Sequence, residues 1–135
     1  MSIQFEKYLS LGLIFTADLK HVILDTVDGK LDGFFIIEDD KDADQIKLSK
    51  VIHEQIDIKI NPKDWRIVTT LQQFDKKWKM DVYSTFIDSP VPDSAPFESV
   101  NNLPEYCMPR IQWLVPLALD ATVIGSGFNQ TLIRI

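Results

Sequence analysis

The hydrophobic pattern changes its period within one stretch, Gly29–Ile60, and this change constrains the fold more than any other feature. The run "GFFIIE", which follows an Asp32-Gly33 turn pair, predicts a short buried strand. An acidic segment comes next, and from about Asp42 the apolar residues recur at every fourth position, which predicts an amphipathic helix. The recurring residues are Leu48, Ile52 and Ile56. A strand, a loop and a helix in this order indicate an α/β protein.

The remaining segments predict further strands and a second helix. "MPRIQWLVPLALD" predicts a helix with Pro109 in its first turn and a kink or break at Pro116. Asp88–Asn102, with three prolines and three serines, predicts an irregular loop. The predicted strands lie in Lys7–Ala17, in His21–Val27, in "DWRIVTTLQQF" and "WKMDVYSTFI", and in the C-terminal "GSGFNQTLIRI". This order predicts a mixed β-sheet sandwiched by helices.

Length, charge and cysteine content limit the class of protein. With 135 residues we expect a single domain over 1–135. The chain has 14 Lys+Arg against 20 Asp+Glu, and its net charge of −6 predicts no binding to nucleic acid or to anionic membranes. Cys107, the only cysteine, excludes an intrachain disulfide and predicts a partly buried thiol in a reducing compartment. With no signal peptide in "MSIQFEKYLSLGLIF" and no long apolar run, we expect a cytoplasmic protein.

Two metal motifs begin in the sequence and are not completed. Asp40, Asp42 and Asp44 alternate like the first ligands of a calcium loop, but the required sixth glycine and twelfth glutamate are Gln45 and Val51. These aspartates are therefore expected to form the solvated start of a helix.

The second incomplete motif is H-E-x-x-H, the zinc-binding pattern of metalloproteases. It would begin at His53-Glu54, but its second histidine would fall on Asp57. His53 is therefore predicted to be an exposed helix residue without a metal.

Taken together, the segments resemble the Nudix hydrolase family, in particular its oxidised-purine triphosphatase branch. The family's box, G-x5-E-x7-R-E-U-x-E-E-x-G-U with U an aliphatic residue, fits Ile36–Ile58 without a gap and puts its two glycines at Ile36 and Asp57. "GKLDGFF" is similar to the family's G-K-W-N-G-x-G, and "NLPEYCMPRIQWLVPLALD" is similar to its closing L-P segment and W-x-x-P-L helix. The likeness runs from about Leu9 to Ile135 and implies a Nudix-like α/β fold.

The resemblance also implies that the metal site is degenerate. In the family, glutamates of the box helix hold divalent cations, commonly magnesium, on a substrate diphosphate. Here the box arginine is Lys50, the first helix glutamate is Val51, and the other two are Glu54 and Gln55, while the earlier box glutamate falls on Asp42. Glu54 is the only box-helix glutamate retained, and a hard cation needs several oxygen ligands. No catalytic residue, metal ligand or cofactor is therefore assigned.

A ligand pocket is implied at a second place. In the oxidised-purine branch, an asparagine before the G-x-G turn and an acidic pair after Trp-Pro read the base. The matching residues are Asp32 and Arg110-Ile111, the latter after Met108-Pro109. An arginine in place of an acid inverts the charge offered to the base, so the ligand is expected to differ from that of the branch. The predicted ligand-binding residues are Asp32, Phe34, Met108 and Arg110.

Two functions remain open at this point. The leading one is a catalytically degenerate Nudix-like protein that acts as a small-molecule (nucleotide-like) binding module or as a protein-interaction module. The alternative is a divergent nucleoside-diphosphate hydrolase, dependent on Mg2+, that uses carboxylates outside the usual box. The candidate carboxylates are Glu38, Asp39, Asp42, Glu54 and Glu98. The sequence leaves the oligomeric state open.

Overall fold

The computed structural model describes residues 5–38, 44–73, 75–88, 91, 97–124 and 131–134. At 97, 121–124 and 131–134 it describes the backbone alone. The strands are β1 (Lys7–Thr16), β2 (His21–Ile23), β3 (Asp25–Val27), β4 (Lys30–Asp32), β5 (Phe34–Glu38), β6 (Arg66–Gln73), β7 (Trp78–Ile87), β8 (Phe97–Ser99) and β9 (Thr131–Arg134). The helices are α1 (Gln45–Ile56) and α2 (Pro109–Ile124), and a 3-10 turn spans Pro62–Asp64.

The main sheet is mixed, as the sequence predicted. Its strand order within the described residues is β8-β2-β1-β7-β6-β9, and β5 pairs with β1 as well. β1 and β7 are parallel from Lys7 opposite Trp78 to Thr16 opposite Ile87. β6 pairs antiparallel with β7 and parallel with β9. β3 and β4 form a separate two-stranded ribbon.

One helix covers each face of this sheet, because side chains alternate between the faces along each strand. On one face, α2 packs against β1, β6 and β7. The buried α2 residues there are Ile111, Leu114, Val115 and Ala118. On the other face, α1 packs against β1, β5 and β7. Its buried core residues are Leu48, Ile52 and Ile56. The predicted sandwich of helices around a mixed sheet is confirmed.

The ends of α1 are set by two aspartates. The Asp44 side chain accepts hydrogen bonds from the backbone N–H groups of Ile46 and Lys47, both at 3.1 Å, and so caps the helix start. At the other end, Asp57 adopts the left-handed conformation with φ 55°. Its N–H donates to the carbonyl of His53 over 3.0 Å. A left-handed residue at this position is how many helices end, and glycine is the usual one.

Several sequence predictions differ from the structure in detail. His21–Val27, predicted as one strand, is divided between β2 and β3, because β2 joins the main sheet and β3 pairs with β4. The predicted loop Asp88–Asn102 contains the short strand β8, which pairs with β2. Asp39, Asp40, Asp42 and Gly125–Gly127 lie outside the described residues.

Pro116 does not break α2, which continues to Ile124. A proline inside a helix removes one hydrogen bond and crowds the preceding turn. Leu114, Val115 and Ala118 on either side of it are fully buried, and this packing holds the helix together. No helix in the described part of the chain is long and apolar enough to cross a membrane.

Candidate functional site

The box helix is α1, and most of its box side chains face solvent. Lys50, Glu54 and Gln55 are exposed, whereas Val51 is partly buried. His53 is exposed, as predicted, and its Nε2 lies 3.3 Å from Oδ1 of Asp57. The first glutamate position on the box helix is thus occupied by Val51, an aliphatic side chain that is partly buried.

The donor set on α1 does not fit a magnesium ion. Mg2+ requires several oxygen ligands in near-octahedral geometry, usually with carboxylates among them. The three glutamate positions on the box helix provide one carboxylate, on Glu54, and one amide oxygen, on Gln55. Within the described residues, no three His, Cys, Asp or Glu side chains come together as a metal site would require.

Two of the carboxylates considered outside the box can be placed relative to α1. Glu38, at the end of β5, is in an ion pair with Lys47, with 3.4 Å between Oε1 and Nζ. Glu98 on β8 is directly opposite Val22 of β2, and Val22 belongs to the core under α2. Paired residues on antiparallel strands share a face of the sheet. Glu98 therefore lies on the face opposite to α1 and cannot join Glu54 at one metal ion.

The surroundings of Cys107 agree with the placement of Glu98 on the α2 face of the sheet. The cysteine is buried at 5% exposure in the core under α2. Burial raises the pKa of its thiol, and the negative charges of Glu98 and Asp32 raise it further. The thiol is therefore held protonated, which opposes a role as a nucleophile.

A buried, two-pronged ion pair joins two predicted ligand residues. Asp32 is 2% exposed, and Arg110 meets it with two parallel hydrogen bonds: Nε donates to Oδ1 at 3.2 Å and Nη2 donates to Oδ2 at 2.5 Å. The backbone N–H of Gly33 donates to the same Oδ1 at 2.8 Å. The Asp32 carboxylate is thereby removed from water, and the guanidinium of Arg110 compensates its negative charge.

Backbone contacts bring these two residues together across the chain. The N–H of Leu31 in β4 donates to the carbonyl of Tyr106, and the N–H of Met108 donates to the carbonyl of Leu31 over 2.8 Å. This ties the segment before α2 to β4, so Arg110 in the first turn of α2 faces Asp32. The sequence placed Asp32 and Arg110 at one site, and the structure brings them into direct contact.

Phe34 was expected at the ligand site, and the structure corrects this. Phe34 is 1% exposed and packs under α1 with Leu48 and Ile52. Its neighbour Phe35 points to the other face, where its ring centroid lies 5.6 Å from Cζ of Arg110. Successive strand residues point to opposite faces, so only one of the two phenylalanines can face α2.

A small pocket of about 70 Å3 opens beside Arg110 on the α2 face of the sheet. Sequence reasoning missed its other walls. They are Leu9, Leu71, Gln73, Trp78 and Met80. The alternation of β7 was the available signal, since Trp78, Met80 and Val82 share one face of that strand. Met108, also predicted as a ligand residue, is partly buried against the same core but does not line the pocket.

The ribbon beside the pocket carries a second acid. Asp25 in β3 lies opposite Asp32 in β4. Burial raises the pKa of Asp25, and the charge of Asp32 adds to that rise. A second carboxylate thus approaches the buried pair.

Comparison with known proteins assigns the fold. No protein family and no curated protein sequence matches the chain. A NUDIX hydrolase structure from Nitrosomonas europaea matches with a TM-score of 0.69 at 9% identity, over 99% of this chain and 82% of that one. An ADP-ribose pyrophosphatase from Streptococcus suis matches with a TM-score of 0.65 at 15% identity, over 96% of this chain and 99% of that one.

A structure of MutT, from work on Aliivibrio salmonicida and Vibrio cholerae, matches with a TM-score of 0.60 at 13% identity, over 88% of this chain and 97% of that one. The chain spans 41% of a proposed oxidoreductase from Sinorhizobium meliloti that it also matches. The class that these comparisons define is a mixed α/β fold with a helix on each face of the sheet. The chain has a Nudix-like fold, as its sequence motifs predicted.

The backbone at one box position supports the register proposed from the sequence. The second box glycine falls on Asp57, and Asp57 has the positive φ that glycine adopts most readily. The helix therefore ends at Asp57 in the conformation that a glycine at this position would favour.

Proposed function

We propose that this protein is a binding protein of Nudix-like fold that does not hydrolyse diphosphates. The observation that supports it is the donor set of α1: one carboxylate, Glu54, where the box helix has three, with the partly buried Val51 at the first of these positions. A metal-dependent displacement at a diphosphate needs cations held against the phosphates. This donor set is too poor to hold them.

A small molecule is the better-supported kind of ligand. The α2 face offers a pocket with apolar walls and a few polar groups, which is the usual make-up of small-molecule sites. At about 70 Å3 it holds only part of a ligand, such as one functional group with the rest outside. We propose that such a ligand, nucleotide-like in size or smaller, binds here to a cytoplasmic protein. A protein partner is the second form of the proposal.

A screen for hydrolysis tests the catalytic part. The protein is incubated with nucleotides and dinucleotides in the presence of magnesium or manganese, beside a Glu54→Gln variant. We expect no turnover above that of the variant. We also expect no rise in melting temperature with millimolar magnesium, because a cation that does not bind the native state does not stabilise it.

The alternative function, a divergent hydrolase, has one observation in its favour: Glu54 and Gln55 are both exposed and open to a substrate. Under it, magnesium-dependent turnover would be lost in Glu54→Gln and increased in Gln55→Glu, which adds a carboxylate beside Glu54. That pair of results would contradict the binding-protein proposal.

A further inference from the structure

Arg110 presents hydrogen-bond donors to the pocket and is held in place by its other contacts. Its Nε and one N–H of Nη2 are used by Asp32, and Nη1 lies 3.7 Å from the sulfur of Met80, a weak acceptor. A guanidinium has more N–H groups than these contacts use. Among the described residues, only Asp32 provides a strong acceptor to it. Phe35 packs on its face, so its orientation is fixed before any ligand arrives.

Most of the other walls of the pocket are apolar. Leu9, Leu71 and Met80 are buried core residues, and Trp78 is partly buried at the side. An apolar cavity of roughly 150 Å3 accommodates a benzene ring. A pocket of about 70 Å3 therefore admits a planar group of a few atoms, with the body of the ligand against Trp78.

The charge around the pocket differs from that of the whole chain. The net charge is −6, yet the described side chains that line this pocket include Arg110 and no acid. Lys76 adds a second cation at the rim, with its Nζ 5.4 Å from the Trp78 ring centroid. Asp32 neutralises part of the positive charge of Arg110, but it is buried and a ligand cannot contact it.

We propose that this pocket binds a small, flat ligand through a planar edge that carries only acceptors, a carboxylate above all. The inference rests on the proposed binding function and adds the chemical class of ligand. The carboxylate accepts from the remaining N–H groups of Arg110, and the amide of Gln73 is a second donor beside it. The apolar body of the ligand packs on Trp78. A ligand edge that carries only donors would face the donors of Arg110 and bind weakly, because donors left unpaired in a buried site cost free energy.

Three probes of matched shape test this: benzoate, with acceptors only, benzamide, with both, and benzamidine, with donors only. Binding is followed by NMR on the indole N–H of Trp78 and the methyl group of Met80. We expect benzoate to bind most tightly and benzamidine at least about tenfold more weakly, a difference of roughly 1.4 kcal/mol. The negative net charge of the chain attracts the cation benzamidine and repels the anion benzoate. Long-range electrostatic attraction therefore cannot produce tighter binding of benzoate.

The double variant Asp32→Asn/Arg110→Met removes the arginine donors and leaves no unpaired charge buried at this contact. We expect the preference for benzoate over benzamidine to be lost. A second variant, Lys76→Gln, alters an exposed side chain that is safe for folding. It should weaken benzoate about two- to threefold, because a single rim charge contributes less than 1 kcal/mol, and leave benzamide unchanged.

Two results would overturn the inference at once: equal binding of the three probes, or tighter binding of benzamidine than of benzoate by the native protein. It would also be overturned if Trp78 and Met80 did not respond to benzoate at roughly 10 mM, a concentration that detects binding weaker than about 4 kcal/mol. Magnesium-dependent hydrolysis in the earlier screen would contradict the proposed function and still leave this preference to be measured. The two proposals therefore fail by different readouts.

Discussion

At the scale of single residues, Asp32 depends on Arg110 for its burial. The carboxylate is 2% exposed, and both of its oxygens accept from the guanidinium. Breaking a buried ion pair from one side leaves an uncompensated charge, which costs more than the pair itself contributes. The pair is therefore a condition for the native packing of β4 against α2.

The first prediction is that Arg110→Met lowers the free energy of unfolding by about 3 kcal/mol at pH 7. The variant Asp32→Asn/Arg110→Met should recover most of this loss, because no charge is then left buried. Urea unfolding of the native protein and both variants measures the difference. A loss below about 1 kcal/mol in the single variant, the usual value for an exposed pair, would show that water reaches Asp32.

Tyr83 on β7 makes stability depend on pH in the alkaline range. It is 7% exposed, and burial, with the charges of Asp81 and Asp44 added, raises the pKa of its hydroxyl to about 12. The folded state therefore favours the neutral phenol. This contribution is complete below the pKa of an unfolded tyrosine, near 10, and is lost as the pH rises through about 12.

The second prediction follows from this sign. Between about pH 10 and 12, Tyr83→Phe should flatten the fall of the unfolding free energy by up to about 1.4 kcal/mol per pH unit, the limit for one proton. Denaturant unfolding at several pH values measures the slope. Tyr106→Phe, on an exposed tyrosine, is the matched control. Parallel slopes for native protein and Tyr83→Phe would contradict the prediction.

At the scale of elements, α1 lies close to β1 because Gly12 has no side chain. A Cβ at Gly12 would stand 2.8 Å from the Trp65 ring and 2.9 Å from Cδ2 of Leu48. The Trp65 ring is itself held, since its Nε1 donates to Oγ of Ser49 over 2.8 Å. The contact between strand and helix is therefore filled and resists added volume.

The third prediction is that Gly12→Ala destabilises the protein by about 1–3 kcal/mol through overpacking. In a Trp65→Phe background the loss should be smaller, because the phenyl ring lacks the outer indole atoms that meet the new methyl group. Thermal and urea unfolding of the four proteins form a double-mutant cycle. Strict additivity would show that the indole ring is not the obstacle.

The fourth prediction concerns the altered box position on α1. Val51→Glu should destabilise the protein by about 1–2 kcal/mol, because a charge replaces a partly buried aliphatic side chain. Gln55→Glu is the control at an exposed position one turn later, with an expected change within about 0.5 kcal/mol. Equal stability of the two variants, with hydrolysis gained in Val51→Glu, would mean that the box lost its activity by this substitution alone.

The elements differ in how far the sequence could predict them. The periodicity of Leu48, Ile52 and Ile56 was sufficient for α1, because a helix is defined by local spacing. The face of β5 was not predictable, because a short run apolar on both faces has no alternation to distinguish Phe34 from Phe35. The parallel pairing of β1 with β7 depends on residues far apart in the chain, which no local pattern contains.

The candidate site, like the elements, could be predicted only in part. Asp32 and Arg110 were placed at one site by resemblance to two separate motifs of a family. That they bind each other directly follows from the burial of Asp32 and from the backbone contacts of Leu31 with Tyr106 and Met108. These contacts belong to the tertiary structure, and residue types alone do not determine them.

At the scale of the whole molecule, net charge and site chemistry act together against polyphosphates. The chain carries −6, and the positions of the first glycine of the box and of the first glutamate on its helix are Ile36 and Val51. A triphosphate brought to α1 would meet Lys50 as the remaining box cation. Its desolvation would be poorly compensated.

The fifth prediction is that nucleoside triphosphates bind with Kd above about 1 mM, which corresponds to less than roughly 4 kcal/mol. The matched nucleosides are the control, and they should bind no more weakly, because they carry no phosphate charge. Titration calorimetry at moderate ionic strength measures both. Micromolar affinity for any triphosphate would contradict this view of α1 and favour the hydrolase.

The parallel pairing of β1 with β7 also has a consequence for how the chain folds as it is made. β1 is synthesised first, but its central neighbour is complete only when Ile87 has been added. Contacts between residues so distant in sequence slow folding, since a long loop must close before they form. While the protein is on the ribosome, β1 can pair with β2 and β5, but its other edge stays open. The centre of the sheet is therefore completed only once β7, with Ile87 at its end, has been made.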